Sequence, residues 1–286
     1  MFKPAQPFKT QLQTRWGRGA GGWLVGAAAC TVFATAAMAA PFEVAVSPTR
    51  LTVTGDAGQR IGQSLKIYNL GNVPTALSFR TLDWSLAENG ELKFHDELLP
   101  GSCRPWVSLE RRTSQLVARS DASFRFQVDV PAGTPRGECR FMIAVEGVDP
   151  AQQALINSGG ASLNLPVSGR IAVAVYVAIG GAKPQLEIQQ IGTDSLKKER
   201  KPVVRITNTG DAHGRLDGVL EATNADGKTF ELLPEGGPVL PGQTRMLTLN
   251  ARSFGKEAPP QLLYPMKVEG TLDWDQGAFK VQATLP

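Results

Sequence analysis

The stretch Leu163-Asn-Leu-Pro-Val-Ser-Gly-Arg-Ile-Ala-Val-Ala-Val-Tyr-Val-Ala-Ile179 decides the fold class. Large apolar residues fall on every second position: Leu163, Leu165, Val167, then Ile171, Val173, Val175, Val177 and Ile179. A period of two marks one face of a β-strand, whereas a helix would repeat near 3.6. The residues between them are small or polar, with Tyr176 the one large exception. Such a run exceeds the usual strand of about 5–6 residues. Pro166 has no N–H to give a ladder, which puts the first part of the run on an edge or beyond the sheet. The pattern allows two readings. One is a long core strand with an irregular start; the other is an apolar edge strand, which proteins ordinarily avoid because it invites pairing with another chain.

Upstream, Lys3, Lys9, Arg15 and Arg18 precede an apolar run from Trp23 to Phe33 and small residues up to Ala39. Ala37-Met38-Ala39 fits the small-x-small cleavage rule, and Pro41 disfavours cutting one residue later. This order predicts a secretory signal peptide over 1–39, too short in its apolar part to span a bilayer as a stable helix, with a retained anchor as the alternative. The expectation is an exported chain without stable membrane insertion. The whole sequence holds 30 basic and 26 acidic residues, but the signal carries four basic residues and no acidic one, so the mature chain has 26 of each. The basic excess leaves with the signal, and nothing points to a nucleic-acid partner.

Removal of Cys30 leaves Cys103 and Cys139. An even pair in an exported protein is most simply a disulfide. Free thiols or a metal site are the other options, and only His95 and His213 exist to complete a site. No metal and no cofactor are expected.

The remainder reads as all-β, with short β-branched runs between turn signals. Val44 and Val46 alternate, Pro48 interrupts, and Arg50 to Thr54 resumes. Further strands are expected over Ser64–Asn69, Ala76–Trp84, Ser123–Val130 and Cys139–Val145, and Asn89-Gly90 is a hairpin-type turn. Gly147 to Gly160 is polar and glycine-containing and reads as a mobile loop. After Gly180-Gly181 the pattern begins again. Val203-Val-Arg-Ile-Thr-Asn-Thr-Gly-Asp echoes Leu65-Lys-Ile-Tyr-Asn-Leu-Gly-Asn, and Val239 to Leu249 echoes Leu116 to Phe126. The expected architecture is two immunoglobulin-like β-sandwiches in tandem, 40–180 and 185–286. Trp84 and Trp106 are read as core residues.

Catalytic signatures are missing: the sequence has no Gly-x-Ser-x-Gly elbow, phosphate-binding glycine loop or His-Glu-x-x-His. Asp83, Asp96 and Glu97 could supply paired carboxylates for glycoside hydrolysis, but carboxylates in a β-protein are usually solvated. The reading is a binding protein, not an enzyme.

The chain resembles the periplasmic pilus (fimbrial) chaperones. The likeness rests on Ser47-Pro-Thr-Arg50, Pro105-Trp-Val-Ser108, Phe126-Gln-Val-Asp-Val-Pro131, Gly137-Glu-Cys-Arg-Phe-Met-Ile143 and the long alternating strand. It implies a chaperone that caps pilus subunits by donating an edge strand, here Leu163, Leu165 and Val167, with Ile171 possible. It implies pilus subunits as partners, with an outer-membrane usher. It also implies two basic cleft residues that anchor the subunit's C-terminal carboxylate. Arg50 matches the first. For the second, the register gives Ala172, with Arg170 two residues earlier on the same face. The cysteine positions differ from those expected of the family. The rival reading is a structural or adhesive β-sandwich protein of the cell envelope or of a surface fibre.

Overall fold

The computed structural model describes residues 42–148, 152–158, 161–167, 169–194, 199–255 and 258–286, with the backbone alone described between 152 and 167. The predicted signal segment lies outside these residues. The chain runs through β1 (Val44–Ser47), β2 (Arg50–Gly55), β3 (Arg60–Asn69), β4 (Thr75–Leu86) and β5 (Leu92–His95). A 3₁₀ turn (Arg104–Trp106) leads to β6 (Val107–Leu109), β7 (Thr113–Leu116), β8 (Asp121–Asp129) and β9 (Gly137–Gly147). Then come β10 (Gln152–Ser158), β11 (Ala161–Val167) and β12 (Arg170–Ile179).

Two sheets face each other in this first half. One has the order β1-β3-β8-β6; the other has β2-β12-β9-β4-β5, with β7 also pairing β4. Pro48 lies where the chain leaves the first sheet for the second, since β1 pairs β3 and β2 pairs β12. The alternation expected from the sequence supplies the core. Val173, Val175, Val177 and Ile179 of β12 pack with Phe141, Ile143 and Val145 of β9 and with Leu65, Ile67, Phe124 and Phe126 from the opposite sheet. Cys103 and Cys139 form a disulfide, Cα to Cα 5.8 Å, tying the segment before the 3₁₀ turn to β9. In the chain-entropy model, closing a loop of 36 residues stabilises by about 3–4 kcal/mol.

The second half holds β13 (Leu186–Asp194), β14 (Lys201–Asn208), β15 (Gly214–Arg215), β16 (Asp217–Thr223) and β17 (Thr229–Pro234). It ends with β18 (Pro238–Val239), β19 (Thr244–Arg252), β20 (Met266–Trp274) and β21 (Gly277–Leu285). Seven strands run in the order β13-β14-β19-β17-β16-β20-β21. β19 turns the corner: it pairs β14 up to Thr248 and β17 from Leu249 onward. The ladder thereby folds over itself around one core that includes Val204, Ile206, Leu220, Phe230, Leu247, Leu249 and Leu272. The tandem all-β architecture is therefore present.

The sequence echo has a structural cause. Asn69 and Asn208 are both buried. The Asn69 amide N–H₂ donates to the carbonyls of Val73, Leu116 and Val117, and its Oδ1 accepts from the Gly71 N–H. Asn208 donates to Ala212 and Val239 and accepts from Gly210. Each asparagine satisfies backbone groups of its own turn and of a facing strand that water cannot reach. Gly210 is required as well, because a side chain there would run into the backbone of Lys183–Gln185.

Candidate functional site

The alternating run is not one strand. It breaks at residues 168–169 into β11 and β12, and the two parts have different neighbours. β12 is an interior strand for most of its length. It pairs β9 antiparallel throughout, and from Ala174 to Ile179 it pairs β2 in parallel. The expectation of a single edge strand over 163–179 is corrected: large apolar residues at every second position equally suit an interior strand facing a core. Ile171 lies opposite Val145 and packs against the first core.

β11 does stand outside the main sheet, as Pro166 leads one to expect. It pairs only with β10, in a two-stranded ladder from Gln152↔Val167 to Ser158↔Ala161. Gly159-Gly160 lies between them in sequence. β10 falls within the segment read as a loop; Gln, Asn and Gly residues hid a strand whose pairing comes from β11. The Gly147 N–H donates to Gly169 O, 3.2 Å, at the end of the β9–β12 ladder. A side chain at Gly169 would collide with the ring of Phe42, so glycine admits that ring at the hairpin base.

The hairpin's chemistry is simple. No charged residue occurs from Pro150 to Gly169. Opposite residues of an antiparallel ladder share a face. Leu163, Leu165 and Val167 therefore lie on one face of β11, and among the described residues no strand pairs its outer edge.

The structure does not bring Arg50 and Arg170 together. Arg50 is exposed at the start of β2, beside Ala174. Arg170 lies four residues further along β12, about 13 Å at 3.3 Å per residue. There it forms an ion pair with Glu146, opposite it in the ladder. Glu146 also accepts from Arg80 at 2.9 and 3.0 Å, and these bonds from Arg80 hold its carboxyl below the usual range.

Arg215, from the second sandwich, lies within electrostatic reach of Arg50. Burial lowers its pKa, and the charge of Arg50 acts in the same direction. Arg215 donates to Gly236 O at 2.6 Å and to the Tyr176 hydroxyl at 3.3 Å. Tyr176 stacks on His213 with centroids 3.6 Å apart. Glu138 Oε2 accepts from the His213 N–H at 3.0 Å and lies 2.6 Å from its Nδ1. Opposite Tyr176 in the ladder, Arg140 lies over the Trp84 ring, and burial lowers its pKa. Leu82, Trp84, Met142, Ala144 and Tyr176 pack with Leu240 to close the seam between the sandwiches. Sequence reasoning missed this seam, though Tyr176, one large residue among alanines, was its signal. Trp106 packs at the margin of the first core.

The carboxylates considered for hydrolysis have structural partners. Asp83 is buried and accepts from Leu99 N and Ser102 Oγ, with Arg104 3.6 Å away. Asp96 pairs with Arg80, and Glu97 with His95. Among the described residues, no group of three or more His, Cys, Asp or Glu side chains is placed to hold a metal ion, and no helix is long and apolar enough to cross a membrane.

No protein-family model and no curated protein sequence matches the chain. It is similar to several solved structures. One is the Salmonella enterica SafA pilin in complex with the SafB chaperone, at 16% identity over 86% of this chain and 98% of that chain, TM-score 0.47. The E. coli chaperone DraB is 15% identical over 86% and 97%, TM-score 0.44. The Pseudomonas aeruginosa CupB2 chaperone is 12% identical over 85% and 100%, TM-score 0.45.

Proposed function

We propose that the chain is a periplasmic chaperone that captures pilus or fimbrial subunits by lending them the outer edge of β11 before assembly at the outer membrane. The observation that carries this reading is the hairpin: uncharged, apolar along one face of β11 and, among the described residues, without a further strand at its edges. An immunoglobulin-like partner short of one strand offers the complement, a free ladder beside an open apolar groove. Leu163, Leu165 and Val167 would fill that groove, each Å² of apolar surface covered contributing about 25 cal/mol. Ile171 belongs to the core and takes no part in the donated segment.

For the partner's C-terminal carboxylate, Arg50 with Arg215 is the better pair, since Glu146 already neutralises Arg170. A guanidinium holds a carboxylate through two parallel N–H donors. Arg50→Ala is expected to weaken capture of a subunit with a free C-terminal carboxylate; an equal loss with an amidated C-terminus would remove Arg50 from this role.

The deciding experiment is a pull-down of the tagged chain from the periplasm of its own organism while surface fibres are being made. A stoichiometric, small, β-rich exported protein that is lost on Leu165→Arg is expected. A chain recovered without any partner would shift the reading to a structural protein of the envelope.

A further inference from the structure

Resting on that reading, we infer that the cleft between the sandwiches also selects the partner's last side chain, which must be large and apolar. A cavity of about 370 Å³ opens there, lined by Trp84, Leu86, Leu92, Met142, Tyr176 and Pro238. Both sandwiches supply walls, and its size and mostly apolar lining are those of a ligand site. The Trp84 and Tyr176 rings meet edge to face at 87°, with centroids 5.8 Å apart, and form an aromatic corner.

Strand register ties this cavity to Arg50. Arg50, Ala174, Met142 and Leu82 stand in one row across β2, β12, β9 and β4. Directly paired residues share a face. This face is turned away from the first core, since Val173 and Val175 take the core side. At about 4.8 Å per strand, the Met142 backbone lies about 10 Å from that of Arg50. Only the methyl group of Ala174 stands between them in the row. A terminal residue whose carboxylate rests on Arg50 therefore reaches the cavity across Ala174. Arg215 flanks the same opening, donating to the Tyr176 hydroxyl and to the carbonyl of Gly236, which lies between the lining residues Glu235 and Gly237.

The charges select an uncharged side chain. Glu235, the carboxylate of the lining, accepts from Arg245 at 2.9 Å and is already paired. Burial lowers the pKa of Arg215 and of Arg245, so a further cation beside them is disfavoured. An acidic side chain would lose its water against Trp84, Leu86 and Met142.

The test titrates the whole chain with short acetylated Gly-Ser peptides ending in Phe, Leu, Gly or Lys, each as the free acid, with the Phe peptide also as its amide. The readout is the indole N–H resonance of Trp84, assigned with Trp84→Phe. The Phe and Leu acids are expected to bind at least about tenfold more tightly than the Gly and Lys acids. Leu92→Gln, at an exposed position, is expected to cut that preference to about threefold or less, with the Gly acid changed by less than about twofold. Free acids that bind alike whatever their last side chain, all weakened by Arg50→Ala, would leave the carboxylate anchor standing and overturn the inference. A Phe amide that binds as well as the Phe acid removes the anchor and the inference together. If no peptide shifts Trp84, the cavity takes no terminal side chain, and capture through β11 rests on the pull-down alone.

Discussion

The two sandwiches share an internal frame and differ at one exposed ladder. In each, a buried asparagine collects the carbonyls of its own turn and of a facing strand. In the second sandwich the ends of the strand order are guarded: β13 carries a register shift between Ile188 and Gln190, and β21 exposes Lys280 and Gln282. Irregularities and edge lysines are ordinary defences against unwanted strand pairing. The first sandwich carries a two-stranded ladder without charge and, among the described residues, without a further pairing strand. Two halves built on the same frame thus differ at one edge, and that difference is what the proposed function rests on.

The strongest way to break the comparison is to guard the open edge. Leu163→Arg or Leu165→Arg is expected to reduce partner capture at least about a hundredfold, through lost apolar burial and an unpaired buried charge. Far-UV circular dichroism and thermal midpoint should stay at wild-type values, because β10 and β11 form a ladder separate from the main sheets. A variant that still shields its partner from proteolysis would refute the edge argument.

The shared frame can be tested by removing each asparagine in turn. Asn69→Ala and Asn208→Ala should each cost about 2–3 kcal/mol, since buried carbonyls lose their donors. Chemical denaturation reads both, and a loss confined to one would show that the frames are not equivalent.

The converse experiment opens a guarded edge. Lys280→Val with Gln282→Val leaves β21 uncharged and apolar on its exposed side, and concentration-dependent self-association is expected in sedimentation velocity. A strictly monomeric double variant would mean that β21 is protected by something other than its side chains.

The smallest effect concerns the hairpin base, where Glu146 joins Arg80 and Arg170. Its carboxyl is held below the ordinary glutamate value of 4.5, chiefly by Arg80. The stabilisation is therefore fully present above 4.5 and is lost as pH falls through the lower folded-state value. Glu146→Gln should be modestly less stable than wild type at neutral pH, with the gap closing below 4.5. A gap that widens in acid would reverse the assignment.

The fold class and the core were legible because strand alternation records burial directly. Val173 to Ile179 behave as their period requires, and the asparagine turns were visible as an echo. The extent of the proposed donor element was not legible. Period two reads the same in β11 and β12, although one lies outside the sheet and the other inside it. β10 is too polar to show as a strand alone, and its partner is what makes it one. Arg170 looked like a cleft residue because a sequence gives the face of a strand but not the ion pair, here with Glu146, that neutralises it. Arg215 and His213 come from the other sandwich, and no local pattern joins them to Tyr176.

The parallel pairing of β2 with β12 also sets an order in time. Arg50 must find Ala174, and Gly55 must find Ile179, across more than a hundred residues of intervening chain. Contacts of such separation form slowly, because loop closure opposes them until the rest of the structure rewards them. A chain emerging from its N-terminus has released β10, β11 and their turn before β12 is available to receive β2. This uncharged strand pair is therefore presented to its surroundings before the first sandwich can close, and the nascent chain itself needs protection from strand pairing during that interval.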